Sequence, residues 1–167
     1  MKRKYLLFFI LVLVVAFSSC LYKGVDEGQT HQEEMILLTN YINDKEKDGI
    51  NIDTTDLGVY YYVINSGNGL YPETGDTLTV KYDGYLIGGS LFYSTNLLAE
   101  KEYSFVLGES DAIEGWNDGL KLIKKGSKVE LMIPSRLGFG DKWNGNVPPN
   151  NTLIYIIEMM DIKPKKL

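Results

Sequence analysis

The chain has a single cysteine and a single histidine in 167 residues. With Cys20 alone, no disulfide can form within the chain, and the same count excludes zinc clusters and Cys-x-x-Cys redox motifs. With His31 alone, a Ser-His-Asp triad would need a residue outside the strand-rich part of the chain. A lone histidine without nearby ligand partners reads as a solvated side chain, not a metal ligand. Basic residues are also scarce, 17 against 22 acidic ones for a net charge of −5, and Lys2, Arg3 and Lys4 account for three of them. The basic footprint of a nucleic-acid binder is therefore missing. The glycines from Gly84 to Gly89 are not followed by Gly-Lys-Ser/Thr, so they form no P-loop. Glu109, Asp111 and Glu114 offer the carboxylates of a glycoside hydrolase, but they read better as charges complementing the start of a helix.

The N-terminus carries the one continuous apolar run. Tyr5 to Phe17 spans about a dozen residues, whereas a membrane-spanning helix needs roughly 20. Lys2-Arg3-Lys4 before it and Ser18-Ser19-Cys20 after it complete the pattern of a secretory signal. The end resembles a bacterial lipobox, with Phe17 where leucine is usual. Residues 1–19 are thus expected to be a lipoprotein signal peptide, and Cys20 the lipidated first residue of the mature protein. Acyl chains on Cys20 would tether the chain to a membrane. Residues 20–55 read as a polar tether followed by a helix near 31–46, with Thr30 and Glu33 as its capping box. That helix would dock on the domain or act as a spacer.

Glycine (17) and tyrosine (12) are abundant, which suits strands and turns. Val59 to Ile64 reads as a strand. Thr77 to Tyr82 alternates strictly, with Leu78, Val80 and Tyr82 on one face. Gly84 and Gly88-Gly89 are expected to break the next segment into a strand and a hairpin turn leading to Leu91-Phe92-Tyr93-Ser94. Tyr103 to Leu107, Lys128 to Ile133 and Leu153 to Met160 read as further strands. Among them lies Ala112 to Leu120, a short helix with Asp111 as its expected cap and Glu114 as the capping-box partner. Its Ile113, Trp116 and Leu120 share one face. Pro134 to Asn151 is a long loop holding Phe139, Trp143 and Val147, and loops of such length in compact domains are usually functional.

Gly75-Asp76-Thr77-Leu78-Thr79-Val80-Lys81-Tyr82-Asp83-Gly84, Phe92-Tyr93-Ser94, Phe105-Val106-Leu107-Gly108, Ile113-Glu114-Gly115-Trp116, Gly138-Phe139-Gly140 and Val147-Pro148-Pro149-Asn150-Asn151-Thr152-Leu153 are each short. Their order and spacing resemble the FKBP-type peptidyl-prolyl isomerase family, from about Leu57 to Ile162. The resemblance implies an α+β fold, with a bent antiparallel sheet of about five strands wrapped around one short helix. An N-terminal helical extension would precede this domain at 56–163, and a short tail at 164–167 would follow.

It also implies a proline pocket lined by Tyr82, Phe92, Tyr103, Phe105, Ala112, Ile113, Trp116, Phe139, Val147 and Tyr155. Trp116 would be its floor, and the Ile113 N–H would hold a substrate carbonyl. The bland reading of the same rings is core packing. Two positions depart from the family: Tyr93 stands where aspartate is usual, and Phe139 where a tyrosine hydroxyl is usual. A Tyr93 turned outward beside an open cleft would favour catalysis; one lying across Trp116 would favour a non-catalytic binding or chaperone module on the same fold. The expected activity is isomerisation of X-Pro bonds in proteins outside the cytoplasm, by a monomer without a cofactor, lipid-anchored in the cell envelope at the outer membrane. Its partners would be proline-containing segments and the membrane, and no nucleic acid.

Overall fold

The computed structural model describes residues 29–97, 101–109 and 112–166. The expected signal peptide, Cys20 and most of the tether lie outside them. Helix α1 spans His31–Lys47, and its capping box forms as expected: the Thr30 hydroxyl accepts from Glu33 N at 3.2 Å, and the Glu33 carboxylate accepts from Thr30 N at 2.9 Å. Glu33 and Glu34 in the first turn and Lys45 and Lys47 in the last complement the helix dipole. Gly49, at φ +83°, takes the left-handed position that ends the helix.

Seven strands among the described residues form one antiparallel sheet, where about five were expected: β1 (Asp53–Thr54), β2 (Tyr60–Asn65), β3 (Thr77–Leu86), β4 (Leu91–Ser94), β5 (Tyr103–Val106), β6 (Lys128–Ile133) and β7 (Leu153–Lys163). Their order is β1-β2-β6-β7-β3-β4, with β5 also on β3. The excess has two sources. β1 is only two residues long and too short for alternation to reveal. The free edge of β3 is shared, Thr77 to Val80 pairing with β5 and Asp83 to Tyr85 with β4. Gly84 does not break β3, which runs through it to Leu86. A Cβ there would sit 2.6 Å from Phe92 Cζ and 3.0 Å from Tyr155 Cε1, so the glycine makes room for two rings.

Helix α2 (Glu114–Gly119) lies in the concave face of this sheet. It begins later than expected. Ile113 is its N-cap in extended conformation with no side-chain capping bond, so Glu114 opens the helix instead of closing a capping box. Asp111 lies outside the described residues. Val80, Leu131, Leu153 and Ile157 from the strands and Trp116 and Leu120 from the helix segment form the main core. Helix α1 covers the opposite face, where Leu38 packs with Met132 and Ile154. It docks on the sheet and does not act as a free spacer.

Candidate active site

The centre of the concave face is Trp116, only 4% exposed. Tyr82 packs T-shaped against it, with centroids 4.8 Å apart and planes at 89°. Tyr155 does the same at 5.1 Å, and Phe105 and Tyr103 close the ring at 5.5 and 6.1 Å. Edge-to-face packing sets the positive ring edge against the negative ring face, so these contacts fix orientation as well as fill space. The indole Nε1 is buried with no hydrogen-bond partner among the described residues.

Above this layer opens a cavity of about 400 Å³, lined by Tyr82, Phe92, Phe139, Val147 and Tyr155 with Tyr93, Asn144, Gly145 and Asn146. Five of the ten expected residues therefore face the cavity directly. Trp116, Tyr103, Phe105, Ala112 and Ile113 pack in or against the core, and the indole lies beneath the cavity wall instead of forming its open floor. Ala112 and Ile113 are held by Asn117. Its Nδ2 donates to the Ala112 carbonyl at 3.3 Å and to that of Glu109 at 3.1 Å, while its Oδ1 accepts from Gly108 N at 2.7 Å.

Tyr93 resolves differently from either expected arrangement. Its ring stacks on Tyr82, 5.0 Å away and within 10° of parallel. It is 38% exposed and forms a side wall of the cavity instead of crossing the indole. The Thr95 hydroxyl fixes the backbone of Tyr82, accepting from its N–H at 3.0 Å and donating to its carbonyl at 3.2 Å. Burial, then the neighbouring Tyr93, drives the Tyr82 phenol well above the usual tyrosine range; burial alone does so for Tyr155. Among the described residues, no carboxylate, amine or imidazole lines the cavity. Asn144, Gly145 and Asn146 were not anticipated as lining residues. Their only signal was adjacency to Val147, to which Asn144 is joined by a two-way backbone pairing at 3.0 and 2.9 Å. Trp143 is 54% exposed and outside the cavity wall.

This bent sheet, central helix and aromatic cavity coincide with a match to the family model for FKBP-type peptidyl-prolyl cis-trans isomerases over residues 69–160. The chain belongs to the FKBP family. The FKBP-type peptidyl-prolyl cis-trans isomerase FkpA of Escherichia coli K12 is 40% identical over 113 residues, which cover 68% of this chain and 41% of that protein. The outer membrane protein MIP of Legionella longbeachae is 38% identical over 107 residues, covering 64% of this chain and 45% of that protein. The chain thus spans less than half the length of these two FKBP relatives. The crystal structure of FkpA from Escherichia coli superposes with a TM-score of 0.67 at 29% identity, covering 99% of this chain and 72% of that one.

Proposed function

We propose that this chain is a peptidyl-prolyl cis-trans isomerase that takes X-Pro segments of proteins outside the cytoplasm into the cavity between Tyr82 and Phe139. The observation that carries this reading is an aromatic cavity with no charged side chain among its described lining residues, walled by five of the residues that the family resemblance names, in a chain of that family. Amide resonance opposes rotation by roughly 18–20 kcal/mol, and no bond is broken, so neither nucleophile nor metal is required. Water stabilises the charge-separated planar amide. A cavity that excludes it and fits the twisted amide better than either planar form lowers the barrier. Tyr82, Phe92, Phe139, Val147 and Tyr155 provide that dry wall. Trp116, packed with Tyr103 and Phe105, supports that wall from beneath, and Ala112 and Ile113 bring the Ile113 N–H to the substrate carbonyl.

Phe139 lacks a hydroxyl for the bound carbonyl. A net hydrogen bond is worth about 0.5–1.5 kcal/mol, at most roughly tenfold in binding, so the site is weakened and not abolished. Tyr93, where the family usually has aspartate, stacks on Tyr82 at the side of the cavity and leaves it open. Lipidation of Cys20 anchors the chain in the cell envelope, in keeping with a relative named as an outer membrane protein. Among the described residues no helix is long and apolar enough to cross a membrane. The protein works as a monomer with no cofactor.

The covered indole, at 4% exposure, favours a second reading: a module that grips proline segments without turning them over. NMR exchange spectroscopy on an Ala-Leu-Pro-Phe peptide with catalytic amounts of the full chain in detergent micelles separates the two. Accelerated cis/trans exchange supports the isomerase. Peptide binding without acceleration supports the module and removes the enzyme.

A further inference from the structure

The segment from Ser135 to Thr152 delivers Phe139 and Val147 to the cavity, and both its ends are held by one side chain from the appended helix. Glu34, in the first turn of α1, is fully buried. Its Oε1 accepts from Ser135 N at 2.6 Å and from Thr152 Oγ1 at 2.9 Å, and its Oε2 accepts from Ser135 Oγ at 2.7 Å. The exposed His31 also lies 3.4 Å from Oε2. Just before the helix, the Gln29 carbonyl accepts from Asn150 Nδ2 at 2.7 Å. A buried carboxylate is costly unless its oxygens are bonded. Here the bonds converge on the two residues that bracket the cavity loop.

The clamp is continuous with the loop's internal bonding. The Ser135 carbonyl accepts from Gly138 N at 2.9 Å and Gly140 N at 2.8 Å, the two neighbours of Phe139, and the Gly140 carbonyl accepts from Asn150 N at 2.9 Å. A shift of Ser135 would therefore move Phe139.

We propose that Glu34 is a positioning residue for the cavity: by fixing both ends of the Ser135–Thr152 loop it sets where Phe139 and Val147 stand, and it makes helix α1 part of the site. That loop position governs proline binding rests on the isomerase reading; that Glu34 governs loop position does not.

The test uses the full chain in detergent micelles, with amide hydrogen exchange and peptide isomerisation measured together. Glu34→Ala is compared with Tyr41→Phe, which loosens the other end of the same helix. Loss of these buried hydrogen bonds should speed exchange at Gly138, Gly140 and Val147 by at least about tenfold. Amides of the β3–β7 ladder, such as Tyr82 and Ile157, should change no more than in Tyr41→Phe. KM for the proline peptide should rise by about the same factor with kcat within about twofold. If Glu34→Ala does not fold, Ser135→Ala with Thr152→Val removes the two hydroxyl bonds and keeps the backbone one, and the same loop-specific acceleration is expected. Loop exchange that is unchanged, or that rises only in step with the ladder, overturns the proposal. If the unmodified chain does not isomerise the peptide, the proposed function fails, and the exchange comparison still decides the role of Glu34.

Discussion

On the concave face of the sheet, Trp116 is walled by Tyr82, Tyr103, Phe105 and Tyr155, and the layer is almost wholly aromatic and aliphatic. On the convex face, helix α1 also packs apolar side chains, Leu38 on Met132 and Ile154, but this face holds two buried carboxylates, Glu34 of the helix and Glu130 of β6. Glu34 binds Ser135 and Thr152. Glu130 accepts from Tyr41 at 2.7 Å, Tyr62 at 2.8 Å and Lys45 at 3.0 Å. Burial works against the Lys45 ammonium, yet its bonds to Tyr62 and Glu130 outweigh that and hold its pKa above the usual lysine range. The contrast follows from what each face must do. A surface that binds an apolar ring and keeps water from an amide is best without charge. A helix that must dock in a single register gains from buried polar groups, since only one placement satisfies them.

The largest effect should come from the aromatic face. Trp116→Ala removes a buried ring and should cost about 3–5 kcal/mol of stability, measured by urea unfolding, and it should remove isomerisation as well. On the convex face, Glu130→Ala leaves Tyr41 and Tyr62 without their acceptor and should cost about 1–3 kcal/mol. Peptide isomerisation by the folded fraction should stay within about twofold, because none of the hydrogen-bond partners of Glu130, namely Tyr41, Lys45 and Tyr62, lines the cavity. A loss of activity matching that of Trp116→Ala would erase the distinction between the faces.

Smaller effects sharpen it. Phe139→Tyr adds a hydroxyl to the cavity wall and should improve kcat/KM by up to about tenfold with little change in stability. Activity should be flat between pH 6 and 9, since among the described residues no carboxylate, amine or imidazole lines the cavity.

Stability should fall at alkaline pH from both faces. Burial pushes the Tyr41 phenol up to about 12, with the bond to Glu130 and its charge adding to the shift, and the Tyr82 and Tyr155 phenols higher still. An unfolded tyrosine ionises near pH 10. Above that pH the unfolded chain gives up protons that the folded chain keeps. The stability present below pH 10 is therefore lost as the pH rises toward the folded values, which thermal melts at pH 9, 10 and 11 would show.

The capping box of α1 and the inward face of Leu78, Val80 and Tyr82 were legible because each depends on neighbours in sequence. The aromatic set was legible through family resemblance, and periodicity alone supplied only Tyr82, Ile113 and Trp116. Contacts between distant segments were not. Tyr93 stacking on Tyr82 depends on the β3–β4 register, and Gly84 survives inside β3 because two rings from other strands lie over it. Glu34 and Glu130 were invisible as buried groups because carboxylates are ordinarily solvated, although Glu34, Leu38, Tyr41 and Lys45 recur at helical spacing on one face. Asp111 looked like a cap only because the helix start was placed too early.

The most direct test is where a proline ring rests. Intermolecular NOEs between the proline ring protons of an Ala-Leu-Pro-Phe peptide and the isotope-labelled full chain in micelles would locate it. The account predicts contacts to the ring protons of Tyr82, Phe92, Phe139 and Tyr155 and the methyls of Val147. Contacts confined to another surface, such as the exposed Leu70 and Tyr71, would contradict it.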